Sequence, residues 1–322
     1  MPRSGTTLIS SILDAHSNIA ISPETHFYTR CHPESIGEQS AVEAVWACLQ
    51  QQPGIQDMGL SDEERRAIRQ RIQSVSNPTP ADLLRAVETT YAARSGAQAW
   101  GEKTPDHLPH VPRILRDFPD AVVLAVIRDP RDVCRSLRGM PWSRDSLPES
   151  AWKWRQYARK TEEYEDEYPK RFREVRYEDV LENPEALIRS LLEWLDAPFE
   201  EAVLSFHQRD AGPADPDREP WKEKTQRPID PSNKEKWRDQ MPVGARVLVE
   251  WLTAPGMDSK GYRRARKNLG LPGFVSLARE LGIAAGIIVR RLWRQWRMPS
   301  RTSGNHTPVW MRERNVFSEE ED

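Results

Sequence analysis

Residues 1–26 read MPRSGTTLISSILDAHSNIAISPETH. Pro2 to Thr7 is a short polar loop holding one glycine. Apolar residues follow at Leu8, Ile12 and Ala15, with Ile9 and Leu13 alongside, which is helical spacing. A loop that runs straight into a helix can aim the backbone N–H groups of Ser4 to Thr7 at one point. The helix start near Thr6 adds its positive end. Gly5 permits close approach of the backbone, and Arg3 offers a planar fork for phosphate or sulfate oxygens. From these residues alone two readings stand: an anion cradle, or an ordinary Ser/Thr capping turn. A nucleoside triphosphate loop would carry G-x-x-x-x-G-K-[ST]. Thr6 occupies the lysine position here, and Asp129 is the sole strand-end candidate for Mg²⁺. The loop therefore suits a phosphate-like group without an NTP–Mg²⁺ complex.

Further along, Ala121–Ile127 (AVVLAVI) is apolar, β-branched and unbroken, the pattern of a strand covered on both faces. Arg128-Asp-Pro-Arg-Asp132 follows at its carboxyl end and feeds a helix through Leu137. Arg128 at a strand end and Ser136 two helical turns on can face the same side and grip a second phosphate. The alternative is a solvated ion pair of Arg128 with Asp129 or Asp132. Ala97–Trp100 and Phe172–Tyr177 read as short strands, Pro112–Asp117 and Glu185–Leu195 as helices. Thr79 or Pro80 opens another helix, and Asp210–Pro231, rich in proline and charge, reads as a long loop. Strands alternating with helices predict an α/β fold, a doubly wound parallel sheet flanked by helices.

Composition narrows the function classes. The chain has 322 residues, long enough for a substantial core. Its 47 basic and 49 acidic side chains nearly cancel, so no overall field favours a nucleic-acid partner. The longest apolar run, Gly282–Val289, is too short to span a bilayer. Cys31, Cys48 and Cys134 are far apart and lack CxxC spacing. No metal centre or cysteine pairing is expected from them, and their odd count suits a reducing, cytoplasmic compartment. No signal peptide is expected at the start.

The motifs PRSGTT, IRDPRDVCRSL and VRYEDVLENPE together resemble the sulfotransferases that use 3′-phosphoadenosine 5′-phosphosulfate (PAPS). LDAHSNIAISPETHF, KTP and KW are most similar to the branch that includes tyrosylprotein sulfotransferases. The resemblance covers residues 1–262, taken as the sulfotransferase domain, and implies a P-loop-NTPase-like fold for it. It implies that Arg3, Ser4, Gly5, Thr6 and Thr7 hold the 5′-phosphosulfate, and that Arg128 and Ser136 hold the 3′-phosphate. Tyr177 would lie near the nucleotide, and Thr225 and Lys236 near a loop closing on it. Glu24 in SPETH would be the catalytic base, and Lys103 in GEKTP a lysine near the transferred group. PAPS would be the co-substrate, with no metal. The acceptor would be the hydroxyl or amine of a carbohydrate, a small metabolite or a peptide tyrosine.

Residue chemistry is consistent with these roles. Sulfuryl transfer, like phosphoryl transfer, needs positioning and neutralisation of charge. The acceptor hydroxyl must lose a proton, which calls for a carboxylate or imidazole. Glu24 is preferred and His26 is the rival. Arg3 and Lys103 would stabilise developing negative charge. His16 is expected to pack at the end of the loop helix, with His107 and His110 near the acceptor pocket or simply structural. Two other functions stay open: a P-loop nucleotide kinase, and a nucleotide-binding pseudoenzyme.

Two departures from the family stand out. The resemblance implies an apolar strand just ahead of Pro2, where Met1 stands; the expectation is a true start upstream, or else a truncation that leaves a central sheet edge unpaired. Residues 263–322 form the second departure, a basic, Trp/Arg-rich helical appendage with a polar acidic tail. Phe274, Leu277, Leu281, Ile288, Leu292 and Trp296 recur at helical spacing, and Arg290, Arg291, Arg294 and Arg297 cluster beyond. That pattern fits a helix packed on the domain, or peripheral contact of 274–297 with an anionic membrane.

Overall fold

The computed structural model describes residues 1–32, 38–209, 226–265 and 270–297. Helix α1 (Thr6–Asp14) leads back into strand β1 (Ile19–Ser22) and a π-helical turn, Phe27–Cys31. Helices α2 (Glu38–Gln50), α3 (Pro53–Asp57), α4 (Asp62–Gln73) and α5 (Pro80–Ala93) follow. Ser61 and Thr79 close reciprocal capping boxes with Glu64 and Asp82, which fixes where α4 and α5 begin. Then come β2 (Ala99–Glu102), a 3₁₀ segment (Pro105–His110), α6 (Val111–Asp117), β3 (Val123–Ile127) and α7 (Pro130–Arg138). The chain continues through α8 (Leu147–Glu167), β4 (Phe172–Arg176), α9 (Tyr177–Glu182) and α10 (Pro184–Trp194). The last described elements are α11 (Trp237–Gln240), α12 (Val243–Ser259) and α13 (Gly270–Arg297).

The strands lie in two parallel pairs. β1 runs beside β2 with Ile19 opposite Ala99 and Ser22 opposite Glu102. β3 runs beside β4 with Val123 opposite Phe172 and Ile127 opposite Arg176. Among the described residues no hydrogen-bonded ladder joins the pairs, which stand as two small parallel sheets. Side chains join them instead. Ile9, Ile12 and Leu13 of α1 share one core cluster with Ile21 of β1, Val126 of β3 and Val175 of β4. β3 is covered on both faces as expected: Ala125 and Val126 point into different clusters.

The cysteine expectation is corrected. Cys31 and Cys48 form a disulfide, with Cα atoms 5.5 Å apart, tying the π-helical turn to α2. The two residues are 17 apart in sequence, and only the fold brings them together. Cys134 is a buried free thiol, and burial raises its pKa.

Helix α13 packs on α12. A side chain on Gly244 would collide with the backbone of α13 at Leu277 and Gly273, and Arg138 bonds Glu280 at 2.7 Å. Phe274, Val275, Leu281 and Ile283 stay exposed. No helix among the described residues is long and apolar enough to cross a membrane.

Candidate active site

Parallel register decides where the motifs end up. Ser22 beside Glu102 puts Glu24 and Lys103 just past the carboxyl ends of β1 and β2. Ile127 beside Arg176 does the same for Arg128 and Tyr177 at β3 and β4. α1 spans about 13 Å, and the chain from Ile19 to Glu24 returns over about 17 Å. Ile21 N–H donates to Asp14 at 2.8 Å, which fixes that return alongside α1. From Ile21 the chain covers about 10 Å more to Glu24, back along most of the length of α1.

The loop of residues 3–7 and the β3–α7 corner meet directly. Arg3 Nε donates to Ser136 Oγ at 2.9 Å. Arg3 sits at φ 67°, a strained setting for a non-glycine residue. Gly5 has φ +98° and caps α1 without a side-chain acceptor, leaving the first N–H groups of the helix uncapped by it. A Cβ on Gly5 would lie 2.2 Å from the Tyr177 ring, so glycine alone fits. Arg128 lies over the other side of this centre, 4.3 Å from the Tyr177 ring centroid. Its Nη2 donates to the Asn233 carbonyl at 2.8 Å and stands 3.7 Å from Asp132. Asn233 Nδ2 donates to the Tyr177 hydroxyl at 2.7 Å. Burial raises the Tyr177 pKa, so the ring stays a neutral phenol. Ser4 Oγ and Arg128 Nε are buried without a hydrogen-bond partner among the described residues.

Of the two alternatives for Arg128, the ion pair is with Asp132. Asp129 is engaged by Arg131, through Nε at 2.9 Å and Nη2 at 2.6 Å, and it caps α7. Arg131 also donates to Glu250 at 2.7 Å and lies 3.6 Å over Trp237. Lys236 precedes that tryptophan at the start of α11, and Trp237 N–H donates to Asp132 at 3.0 Å. Thr225 lies outside the described residues, as does most of the 210–231 loop.

At the β1–β2 end, Lys103 Nζ contacts Glu24 Oε1, and His26 Nε2 stands 3.7 Å from Glu24 Oε2. Burial, then the Arg30 charge, lowers the His26 pKa against the pull of Glu24, which favours a neutral imidazole. Glu24 keeps partial access to solvent. Its peptide packs on α3: a Cβ on Gly54 would fall 2.1 Å from the Glu24 carbonyl oxygen. His107 is buried and bonded through Nδ1 to Glu102 at 3.0 Å. His16 packs as expected, against the Pro198 carbonyl at 2.8 Å.

The structure thus gathers Arg3, Ser4, Gly5, Arg128, Ser136 and Tyr177 in one cluster, and Glu24 with Lys103 in a second past the ends of β1 and β2. Sequence reading missed Asn233, Gly54 and Glu102. PSNKEKW carried a signal for the first only through its neighbour Lys236; the other two act through contacts remote in sequence.

The profile described as the sulfotransferase family matches residues 1–201. The chain belongs to the sulfotransferase family. This places it among sulfotransferase enzymes, and its relatives agree. The sulfotransferase is 26% identical over 215 residues to a Caenorhabditis briggsae protein described by protein-tyrosine sulfotransferase activity, covering 65% of this chain and 67% of that one. It is 26% identical over 261 residues to protein-tyrosine sulfotransferase A of Caenorhabditis elegans, covering 78% of this chain and 59% of that one. In the second case the chain spans less than two thirds of the relative. In fold it is similar to the sulfotransferase domain from the curacin biosynthetic pathway, with TM-score 0.55 and 18% identity over 82% of this chain and 96% of that one.

Proposed function

We propose that this sulfotransferase moves a sulfuryl group from PAPS to the phenolic hydroxyl of a peptide tyrosine. The observation that carries the donor assignment is the Arg3–Ser136 hydrogen bond, which joins the two anion grips implied by the sequence. The residues present fit such a donor. Ser4 Oγ and Arg128 Nε are buried polar atoms in want of a partner, and the α1 start is uncapped. Ser4 to Thr7 and Arg3 would hold the 5′-phosphosulfate, and Arg128 and Ser136 the 3′-phosphate. Tyr177 would support the nucleotide between them, with Lys236 flanking the site. Peptide tyrosine is preferred over a carbohydrate or small metabolite because both relatives are described by that activity.

PAPS supplies the activated sulfuryl group. Glu24 takes the proton of the acceptor hydroxyl as its oxygen bonds to sulfur and the bond from sulfur to the phosphate oxygen breaks. Lys103 and Arg3 neutralise charge on the bridging and leaving oxygens. His26, neutral and beside Glu24, is the rival base. The two strand pairs are taken as parts of one doubly wound sheet. The Cys31–Cys48 bond favours an oxidising compartment over the cytoplasmic one expected from three unpaired cysteines.

Titration calorimetry with adenosine 3′,5′-bisphosphate against ATP–Mg²⁺, joined to sulfate transfer onto a tyrosine peptide, a carbohydrate and a small phenol, tests this reading. Binding of ATP–Mg²⁺ alone would return the kinase reading. Bisphosphate binding with no acceptor sulfated would support a pseudoenzyme. Glu24→Gln should keep donor affinity and lower turnover by roughly 10²–10⁴-fold; near-normal turnover moves the base to His26.

A further inference from the structure

Four successive backbone N–H groups follow Glu24, and all four lead to one carboxylate. Thr25 N–H donates to Glu102 Oε1 at 3.0 Å. His26 N–H donates to Thr104 Oγ1 at 3.3 Å, and that hydroxyl donates to Glu102 Oε1. Phe27 N–H donates to Thr25 Oγ1 at 3.2 Å, and that hydroxyl donates to the same oxygen at 2.8 Å. Tyr28 N–H meets His107 Nε2 at 3.3 Å, while His107 Nδ1 stands 3.0 Å from Glu102 Oε2.

The proton directions are consistent throughout. Each hydroxyl has one hydrogen, and each is spent on Glu102 while its oxygen accepts a backbone N–H. His107 accepts at Nε2, so Nδ1 carries the hydrogen it gives to Glu102. An ionised carboxylate is the one group that accepts from all of these at once. The side chain is 10% exposed. Burial pushes its pKa up, but the hydrogen bonds from His107, Thr104 and the Thr25 backbone act against that and hold it below the ordinary carboxylate range.

The anchored backbone is not at ease by itself. His26 sits at φ 52°, and the turn from Phe27 begins with N–H groups that have no helical partner. Glu102 also reaches Thr104, the neighbour of Lys103. It therefore holds both residues that flank the Glu24–Lys103 pair.

We infer that Glu102 is the positioning residue of the reaction: it locks the 25–28 backbone and Thr104, and so sets where Glu24 stands relative to Lys103. The role of Glu24 rests on the function proposed above; the anchoring of the backbone does not. A misplacement of about 1 Å in a reacting group can lower a rate roughly 10²-fold.

Glu102→Gln in the full chain keeps the shape but sets an amide N–H₂ against His107 Nδ1–H or the threonine hydroxyls, so at least one branch is lost. Turnover onto the best acceptor should fall about 10²-fold, with adenosine 3′,5′-bisphosphate affinity within about twofold. In a double variant with Glu24→Gln the losses should not multiply, because both act on one step. Amide exchange over residues 25–28 should quicken by about tenfold or more, while the rest of the chain is unchanged. Unchanged exchange, or multiplying losses, overturns the proposal. Normal turnover in Glu24→Gln retracts the base assignment, and the exchange result then still decides the anchor. Should Glu102→Gln fail to fold, Thr104→Val removes one relay and reads the His26 amide; unchanged exchange there equally overturns the anchor.

Discussion

Replacing Gly5 with alanine should cripple donor binding, and the size of the loss follows from the geometry. The new Cβ would lie 2.2 Å from Tyr177 Cδ2. Carbon atoms pack at roughly 3.5–4 Å, so the ring must retreat by about 1.3 Å. The ring is held by the 2.7 Å bond from Asn233 and by Arg128 at 4.3 Å. Loss of either costs about 1 kcal/mol. Alanine at φ +98° adds about 1–2 kcal/mol of backbone strain. The sum is about 3 kcal/mol, roughly a 10²-fold weaker affinity for adenosine 3′,5′-bisphosphate. Calorimetry of Gly5→Ala, Tyr177→Ala and the double variant reads it. The double variant lacks the clash, so beyond Tyr177→Ala it should lose only about tenfold, the strain part. Affinity of Gly5→Ala within threefold of the parent, or losses that simply multiply, would refute the claim that loop and ring share one wall of the donor site.

Other perturbations reach different parts of the molecule. Arg128→Ala should weaken bisphosphate binding by about 2–5 kcal/mol, because the guanidinium is buried; unchanged affinity removes it from the grip. Glu88 is fully buried, and burial, then the Glu102 charge, raises its pKa well above the ordinary 4.5. It folds protonated while the unfolded chain ionises near 4.5, so its contribution worsens as pH rises through that value. Glu88→Gln should raise the melting temperature at pH 7 and make no difference at pH 4; a gain at both values would refute this. Glu102 acts in the opposite sense, its stabilisation being lost as pH falls from 4.5 towards 2. Protein purified without reductant and alkylated after denaturation should show one free thiol, Cys134, and Cys31→Ser with Cys48→Ser should lower stability by about 3 kcal/mol; three free thiols would sink the pairing. Sedimentation with anionic vesicles at low salt separates the two readings of α13: a helix packed only on the domain leaves the full chain in the supernatant, whereas pelleting that Phe274→Asp abolishes would establish lipid contact.

The proposed donor end of the site was legible because its signals are local. Loop, glycine and helix are contiguous in residues 3–14, and Arg128 and Ser136 sit on one strand-to-helix corner. Their spacing follows from the period of a helix and the direction of a parallel strand. α5, α6, β3 and α10 were likewise readable, each from a cap or an unbroken pattern within its own span. β1 was not read as a strand, being four residues long and stopped at once by Pro23. Helices α2 to α4 fell in a stretch where no motif drew the eye, although Ser61 with Glu64 is a capping box in plain sequence.

The proposed acceptor end was legible in its candidate reacting groups and opaque in its support. Glu24 and Lys103 announce themselves through SPETH and GEKTP. What holds them spans 66 to 79 residues of chain: Glu102 to Thr25, His107 to Tyr28, Glu88 to Ser22. None of these partners has a spacing that a period of 3.6 or 2 can reveal. Gly54 is harder still, since its information lies in a missing side chain pressed on the Glu24 peptide. The same holds for Cys31 and Cys48, whose pairing depends on α2 folding back over the turn. A reacting carboxylate is marked by the chemistry it must do, whereas a positioning carboxylate is marked only by the donors that converge on it. Convergence is a property of the fold, so Glu102, adjacent to Lys103 in the chain, reads as one more strand-end acid until four backbone amides are traced to it.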